Sequence, residues 1–323
     1  MSVSAATYLT AGRPSGFFGK LKAFADNIFA PGLHAAFAAF WSLSLLGNLH
    51  GVSGLPGWHW RPVLLVLVLS VFLCLFFLRM VDEVKDHDYD VIHNPGRPLV
   101  SGLVSRGDIA RYLVLFSIVV LALNGWLAWP LALWLALDMA YGLFQLVLEK
   151  WSATVRDNLF ANLAAVYPVN VGLSVYTLLF FLDQSGAAFE ARQAWLVLAY
   201  ALAFLHFEIA RKSGWPALAQ AGERLYSQLI GLPASLMLST GLGLASIGIC
   251  LWLFQPWEQV GAAAFTGWLP LLALLPMGLG LTLFARHRQQ RHAARPPAVA
   301  FLFTFYLALF IHAVAASVVE WGA

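Results

Sequence analysis

The sequence predicts an all-α membrane protein, a polytopic bundle of nine transmembrane helices with its N-terminus on the cytoplasmic side. Three observations carry that expectation. Of the 323 residues, 60% are hydrophobic and 11% charged, whereas a soluble domain carries about 25% charged residues. Apolar runs near the ~20 residues needed to cross a bilayer recur along the whole chain. Strict apolar–polar alternation in segments of ~10 residues, the mark of a transmembrane β-barrel, is missing. The 24 Phe and 13 Trp suit interfacial belts and lipid-facing or cavity-lining surfaces.

Taken in order, Met1 to Gly12 lacks a basic stretch followed by an apolar one, so it does not read as a cleaved signal. Lys20 to Ala30 mixes Lys, Phe and Leu at helical spacing and predicts a short helix lying on the membrane surface. It belongs to an interfacial N-terminal segment, residues 1–32. Spans follow near 33–51, 60–81, 109–127, 130–149, 159–181, 194–210, 229–254, 267–285 and 298–319. Asn124-Gly125 and Pro130 predict a tight turn between the third and fourth.

Charge gives the orientation. With the N-terminus inside, 17 of the 19 Lys and Arg fall on inner segments, and only Arg61 and Arg192 fall outside. That bias predicts a multi-pass protein of the inner, cytoplasmic membrane with an odd number of crossings. The long loops, 82–108, 150–158, 211–228 and 286–297, then all face the cytoplasm, so chemistry is expected there. A net charge of +3 and the lack of a basic run interleaved with aromatics argue against nucleic acid. Cys74 and Cys250 lie inside apolar spans with neither disulfide nor zinc spacing, and read as core thiols.

Where the second span ends, the chain reads Asp82-Glu83-Val84-Lys85-Asp86-His87-Asp88-Tyr89-Asp90. Carboxylates there face the negative end of the helix dipole, at a cost of about 0.3–1 kcal/mol each. They also repel one another at i,i+3 and i,i+4 spacing. Glu83, Asp86 and Asp90 share one helical face, flanked by Asp82. Such a trio suits Mg²⁺, a hard cation that takes oxygen ligands and shares them with substrate phosphates. It equally suits a solvated acidic cap. Arg97 and Arg106 in the following loop place anion-binding partners beside the acids.

Asp82-Glu83-x-x-Asp86-x-x-x-Asp90, followed by Asn94-x-x-Arg97-Pro98-x-x-Ser101-Gly102-x-x-Ser105, resembles the first aspartate-rich motif of the UbiA superfamily of intramembrane prenyltransferases. That pattern is NDxxDxxxD with an RPxxSGxxS-like loop, and Asp82-Glu83 stand where the family has Asn-Asp. Lys150 stands where the family carries a Lys after its fourth helix. Phe207-Glu208-Ile209-Ala210-Arg211-Lys212, with Gly222-Glu223-Arg224-Leu225-Tyr226-Ser227, looks like a bacterial subgroup whose sixth helix ends in an "EIARK"-type sequence. The resemblance covers nearly the whole chain and implies one UbiA-like domain over residues 1–323, with loops 82–108 and 211–228 forming an inner-face active site.

The activity so implied is Mg²⁺-dependent transfer of a prenyl group from a prenyl diphosphate to a hydrophobic or aromatic acceptor within the membrane. Asp82, Glu83, Asp86 and Asp90 would hold the metal, with Asp86 and Asp90 catalytic. Arg97, Lys150, Arg156, Arg211, Lys212 and Arg224 would bind the diphosphate; each also serves as an inner-side topology marker. The family's second aspartate-rich motif is absent, since Lys212 to Gly222 contains no acid. Either Glu208 and Glu223 complete a reduced metal site, or one metal position is lost.

Asp138 sits mid-span in the fourth helix, with Tyr141 and Gln145 at i+3 and i+7. An ionisable group at membrane depth is costly and reads as functional by default. Asp138, with Tyr141, would bind or deprotonate an acceptor hydroxyl; a buried structural Asp fits as well. The basic run from Arg286 to His292 reads as an anchor on anionic lipid headgroups. The rival function is a secondary transporter or permease using Asp138 and the inner acids as an ion path.

Overall fold

The computed structural model describes residues 14–55, 59–219, 223–286, 289 and 295–318. Among them there is no strand, and nine helical segments are long and apolar enough to cross a membrane. Met1 to Gly12 and most of the basic run after Arg286 lie outside the described residues. Contacts divide the chain into two compact units. One comprises Met1–Ala39, Pro62–Asn158 and Ala164–Leu173, the other Phe40–Arg61, Leu159–Leu163 and Ser174–Ala323.

The first unit opens with α1 (Gly16–Ile28) and the beginning of α2 (Pro31–Val52). The helix expected over Lys20–Ala30 therefore starts a turn earlier. Its Ala23, Phe24 and Ala25 are buried, and the rings of Phe24 and Phe29 lie 6.0 and 4.3 Å from Phe76 of α3 (Val63–Lys85). Aromatic stacking of this kind ties α1 to protein through its apolar face. Lys20 adds an ion pair to Asp108 at 2.9 Å.

α3 runs four residues beyond the end expected from hydropathy, because its last turn carries the first acids. Asp86 interrupts the regular helix with φ −84° and ψ 3°, and α4 (His87–His93) follows. The backbone ladder nevertheless passes through: Asp86 N–H donates to Asp82 O, and Asp90 N–H to Asp86 O, both at 2.8 Å. Asp82, Asp86 and Asp90 thus follow one another by single turns.

Next, α5 (Arg106–Leu127) begins at a capping box in which Ser105 and Asp108 exchange side-chain and backbone hydrogen bonds. That cap satisfies orphan N–H groups and adds a turn before the expected start at 109. The tight turn expected at Asn124-Gly125 does not form there. Asn124 is buried and donates to Ser70 Oγ at 2.7 Å and to Val120 O at 2.8 Å, so the helix continues. The turn is the single extended residue Ala128, followed by α6 (Trp129–Trp151) with Pro130 in its first turn, where the missing N–H costs nothing. Gly142 brings α6 close to α3: a Cβ there would lie 2.9 Å from Leu78 Cδ2. Short α7 (Ala153–Asp157), the end of α8 (Leu159–Val166) and the start of α9 (Pro168–Ser185) complete this unit.

The second unit holds the rest of α2 and α9, then α10 (Ala191–Arg211), α11 (Tyr226–Ile230), α12 (Leu232–Phe254), α13 (Gly261–Thr266), α14 (Leu274–Arg286) and α15 (Arg295–Val318). Polar side chains join its helices, as expected where lipid supplies no hydrophobic drive between them. Trp41 Nε1 donates to Ser174 Oγ at 3.1 Å, Tyr200 OH to Ser44 Oγ at 2.7 Å, and Asn48 Nδ2 to Leu309 O at 2.9 Å. Besides the span expected over 159–181, which divides at Tyr167 into α8 and α9, two expected spans of this unit are broken. Gly231, at φ 80°, separates α11 from α12, and a 3₁₀ stretch at Leu269–Ala273 containing Pro270 separates α13 from α14.

Candidate functional site

The acids at the end of α3 do not stand unopposed. Arg79, one turn earlier, places Nη2 3.4 Å from Glu83 Oε2 and Nη1 3.9 Å from Asp82 Oδ2. Lys85 lies 3.4 Å from Asp82 and 3.6 Å from Glu149 in the last turn of α6. Arg97, from the turn after α4, puts Nη1 3.7 Å from Glu83 Oε2 and Nε 3.6 Å from Asp90 Oδ2. Three cations of the chain itself thus relieve the helix-end repulsion.

The carboxylates differ in what they have left. Glu83 and Asp90 are 1% and 3% exposed. Besides the guanidinium groups, Glu83 Oε1 accepts Leu99 N–H at 3.2 Å and Asp90 Oδ1 accepts Asn94 Nδ2 at 2.6 Å. Three of the four oxygens of the pair thus accept a hydrogen bond, and the fourth, Asp90 Oδ2, faces Arg97 Nε at 3.6 Å. Asp82 is engaged by Arg79 and Lys85, and Asp88 points to solvent beside His87. Asp86 is half-buried and, among the described residues, its side chain has neither an ion pair nor a hydrogen bond. Burial pushes its carboxyl up to about 6, with Asp82 and Asp90 adding to the rise and Lys85 opposing it.

Among the described residues no three His, Cys, Asp or Glu side chains come together as a metal site. The convergence of Glu83, Asp86 and Asp90 expected from spacing is not formed, because the Arg97 guanidinium stands against Glu83 and Asp90. Mg²⁺ usually relies on one or two carboxylates plus substrate phosphates. Asp86, short of a counter-charge, with Asp82 one turn before it, fits that shared mode.

The expected diphosphate ligands belong to both units. In the first unit, Arg97 faces the acids, Lys150 is exposed beside Glu149, and Arg156 bonds its neighbour Asp157 at 3.1 and 3.2 Å. In the second unit, Arg211 pairs with Glu208 at 2.6 Å and lies 5.4 Å from the Phe207 ring centroid. The loop after it is closed by Tyr226 N–H donating to Lys212 O at 3.1 Å and by Ser227 Oγ donating to Gly214 O at 2.5 Å. Glu223 is half-buried and Arg224 exposed. Burial and, secondarily, the charge of Glu208 raise the Tyr226 hydroxyl.

Asp138 is placed apart from the acidic stretch. It precedes Glu149 by eleven residues of α6, about 16 Å of helix. Its carboxyl packs on Gly172, where a Cβ would meet Oδ1 at 2.1 Å. One turn earlier, Trp134 Nε1 donates to Gly172 O at 2.9 Å, and Tyr141 OH donates to Ala165 O at 2.8 Å. The Tyr141 proton is thus used in helix packing.

Sequence reasoning passed over Arg79, Lys85 and Glu149 as site residues. Their signal was a charge in the last turns of an otherwise apolar span, which a membrane helix rarely spends without a partner.

The fold is similar to that of solved membrane proteins. The apo structure of a UbiA homolog from Aeropyrum pernix K1 matches with a TM-score of 0.63 at 15% identity, over 88% of this chain and 98% of that one. A structure of a digeranylgeranylglyceryl phosphate synthase matches with a TM-score of 0.60 at 14% identity, over 92% and 99%. Neither a sequence-family model nor a curated protein matches the chain. The class is thereby defined: a polytopic helical membrane protein. Its fold is that of UbiA homologs, as the acidic stretch and its loop led us to expect.

Proposed function

We propose that the protein transfers a prenyl group from a prenyl diphosphate to a hydrophobic, aromatic acceptor, on the cytoplasmic face of the membrane. The observation that carries this reading is the unpartnered, half-buried Asp86 at a span end, with Arg79, Lys85 and Arg97 around the neighbouring acids. A carboxyl without an ion pair, in a stretch whose neighbouring acids hold a guanidinium with exposed surface, is a place for a magnesium-bound diphosphate. The UbiA-type fold supports the same class of substrate.

In this reading Asp86, with Asp82, would hold Mg²⁺, which when bound supplies charge to offset the diphosphate. Arg97 offers N–H donors to diphosphate oxygens, and Lys150 adds an exposed positive charge at the end of α6. Arg211, Lys212 and Arg224 of the second unit are proposed as further anion ligands, with Glu208 and Glu223 as remnants of a second acidic motif. The bond from C1 of the prenyl chain to oxygen breaks with both electrons leaving on the diphosphate. The acceptor donates an electron pair to C1 and then loses a proton. Donors fixed where negative charge grows favour that departure.

The test is product formation. Purified protein in lipid, given Mg²⁺, prenyl diphosphates of several lengths and phenolic acceptors, should release diphosphate only when an acceptor is present and yield a prenylated product by mass. Absence of any acceptor-dependent product across the series would overturn the reading.

A further inference from the structure

We infer that Glu83 and Asp90 position Arg97 for anion binding and are not metal ligands; the inference rests on the diphosphate-binding reading above. Eight charges meet around the end of α3, and they divide by contact into two groups. Glu83 and Asp90 lie against Arg79 and Arg97, two negative charges against two positive. Lys85 lies against Asp82 and Glu149, Arg79 makes a long 3.9 Å approach to Asp82, and the Asp86 side chain has no ion pair among the described residues. A cation is wanted at Asp86, and none is wanted at Glu83 and Asp90.

The geometry of Arg97 says what the neutral group is for. Glu83 and Asp90 stand against its Nη1 and Nε at 3.7 and 3.6 Å, while its side chain stays 31% exposed. A guanidinium has five N–H donors in a rigid plane, so two carboxylates flanking it at different nitrogens restrain its orientation and leave donors over for an anion. Leu99 N–H and Asn94 in turn fix the two carboxylates, so the fork is held by groups that are themselves held. For Glu83 or Asp90 to ligate a metal, each would surrender a buried charged partner, and breaking such a pairing is strongly unfavourable.

Two titrations of the full chain in lipid nanodiscs test this. In the first, Mn²⁺ alone is added and the rise in thermal unfolding temperature recorded. Asp86→Asn should abolish the rise, whereas Glu83→Gln and Asp90→Asn, made separately, should keep most of it. Its loss in either of the latter, in protein that still runs as the folded species on size exclusion, overturns the inference. In the second, pyrophosphate is bound in EDTA. Arg97→Lys keeps the charge but loses the fork, and should weaken binding about tenfold, or ~1.4 kcal/mol.

Glu83→Gln should also weaken pyrophosphate binding, and add nothing in the Arg97→Lys background. Removing a negative charge by itself would strengthen anion binding, so strengthening overturns the positioning role. Wild-type protein that binds pyrophosphate in this pattern yet forms no prenylated product would sink the transfer reading alone. The reverse Mn²⁺ pattern with product formation intact would sink only the role given to Glu83 and Asp90.

Discussion

Lys85, in the last turn of α3, stands 3.6 Å from Glu149, in the last turn of α6, with both side chains largely buried. The pair joins two membrane spans at the level where the acidic stretch begins. Glu149→Gln leaves Lys85 with Asp82 as its ion-pair partner and the Asp86 charge nearby, and should cost about 2 kcal/mol, below the 3–5 kcal/mol typical of a fully buried pair. Replacing both, as Lys85→Met with Glu149→Leu, should recover most of that loss. Thermal unfolding in detergent, followed by tryptophan fluorescence, measures both changes.

Gly172 offers a second check on the packing of α6. A methyl group there would fall 2.1 Å from Asp138 Oδ1 and 2.8 Å from its Cγ. Gly172→Ala should therefore destabilise by about 1–3 kcal/mol, the usual cost of overpacking. The loss should shrink when Asp138→Ala is added, since contacting sites are not additive. Equal losses in both backgrounds would place the Asp138 carboxyl elsewhere.

A pH dependence follows from Asp86. Its carboxyl titrates at about 6 in the native protein, against ~3.9 for an unperturbed Asp. The native state therefore holds a proton that the unfolded chain releases. Stability from this group is full below about pH 4 and is lost as pH rises to about 6, by at most roughly 3 kcal/mol. In EDTA, wild type should lose stability relative to Asp86→Asn across that window and stay level above it. Excess Mg²⁺ should reduce the loss. A flat difference between the two proteins would show that Asp86 carries no such shift.

Much of the architecture was legible because bilayer thickness dictates span length, and nine runs of the right length announce nine helices. The acidic stretch was legible for a similar reason: within one helix, spacing alone determines which side chains share a face. What spacing does not reveal is register between helices. Lys85 meets Glu149, and Asn124 meets Ser70, only because α3, α5 and α6 pack at particular heights. Hence Asn124-Gly125 looked like a turn in the sequence, while in the structure its side chain is helix-to-helix glue. Arg97 was expected to face a diphosphate, and its contacts with Glu83 and Asp90 depend on the path of the turn after α4. The break at Leu269–Ala273 was equally hidden, because hydropathy stays high through a 3₁₀ stretch.

The central claim is that Asp86 serves prenyl diphosphate cleavage, and the most direct measurement compares Asp86→Ala with wild type. Both proteins, in the same lipid and at equal folded amounts, would be given Mg²⁺, a prenyl diphosphate and a phenolic acceptor, and diphosphate release followed. The account predicts that release falls by about 100-fold or more, the scale lost when a key electrostatic group is removed. Full Mg²⁺-dependent release by Asp86→Ala would contradict it.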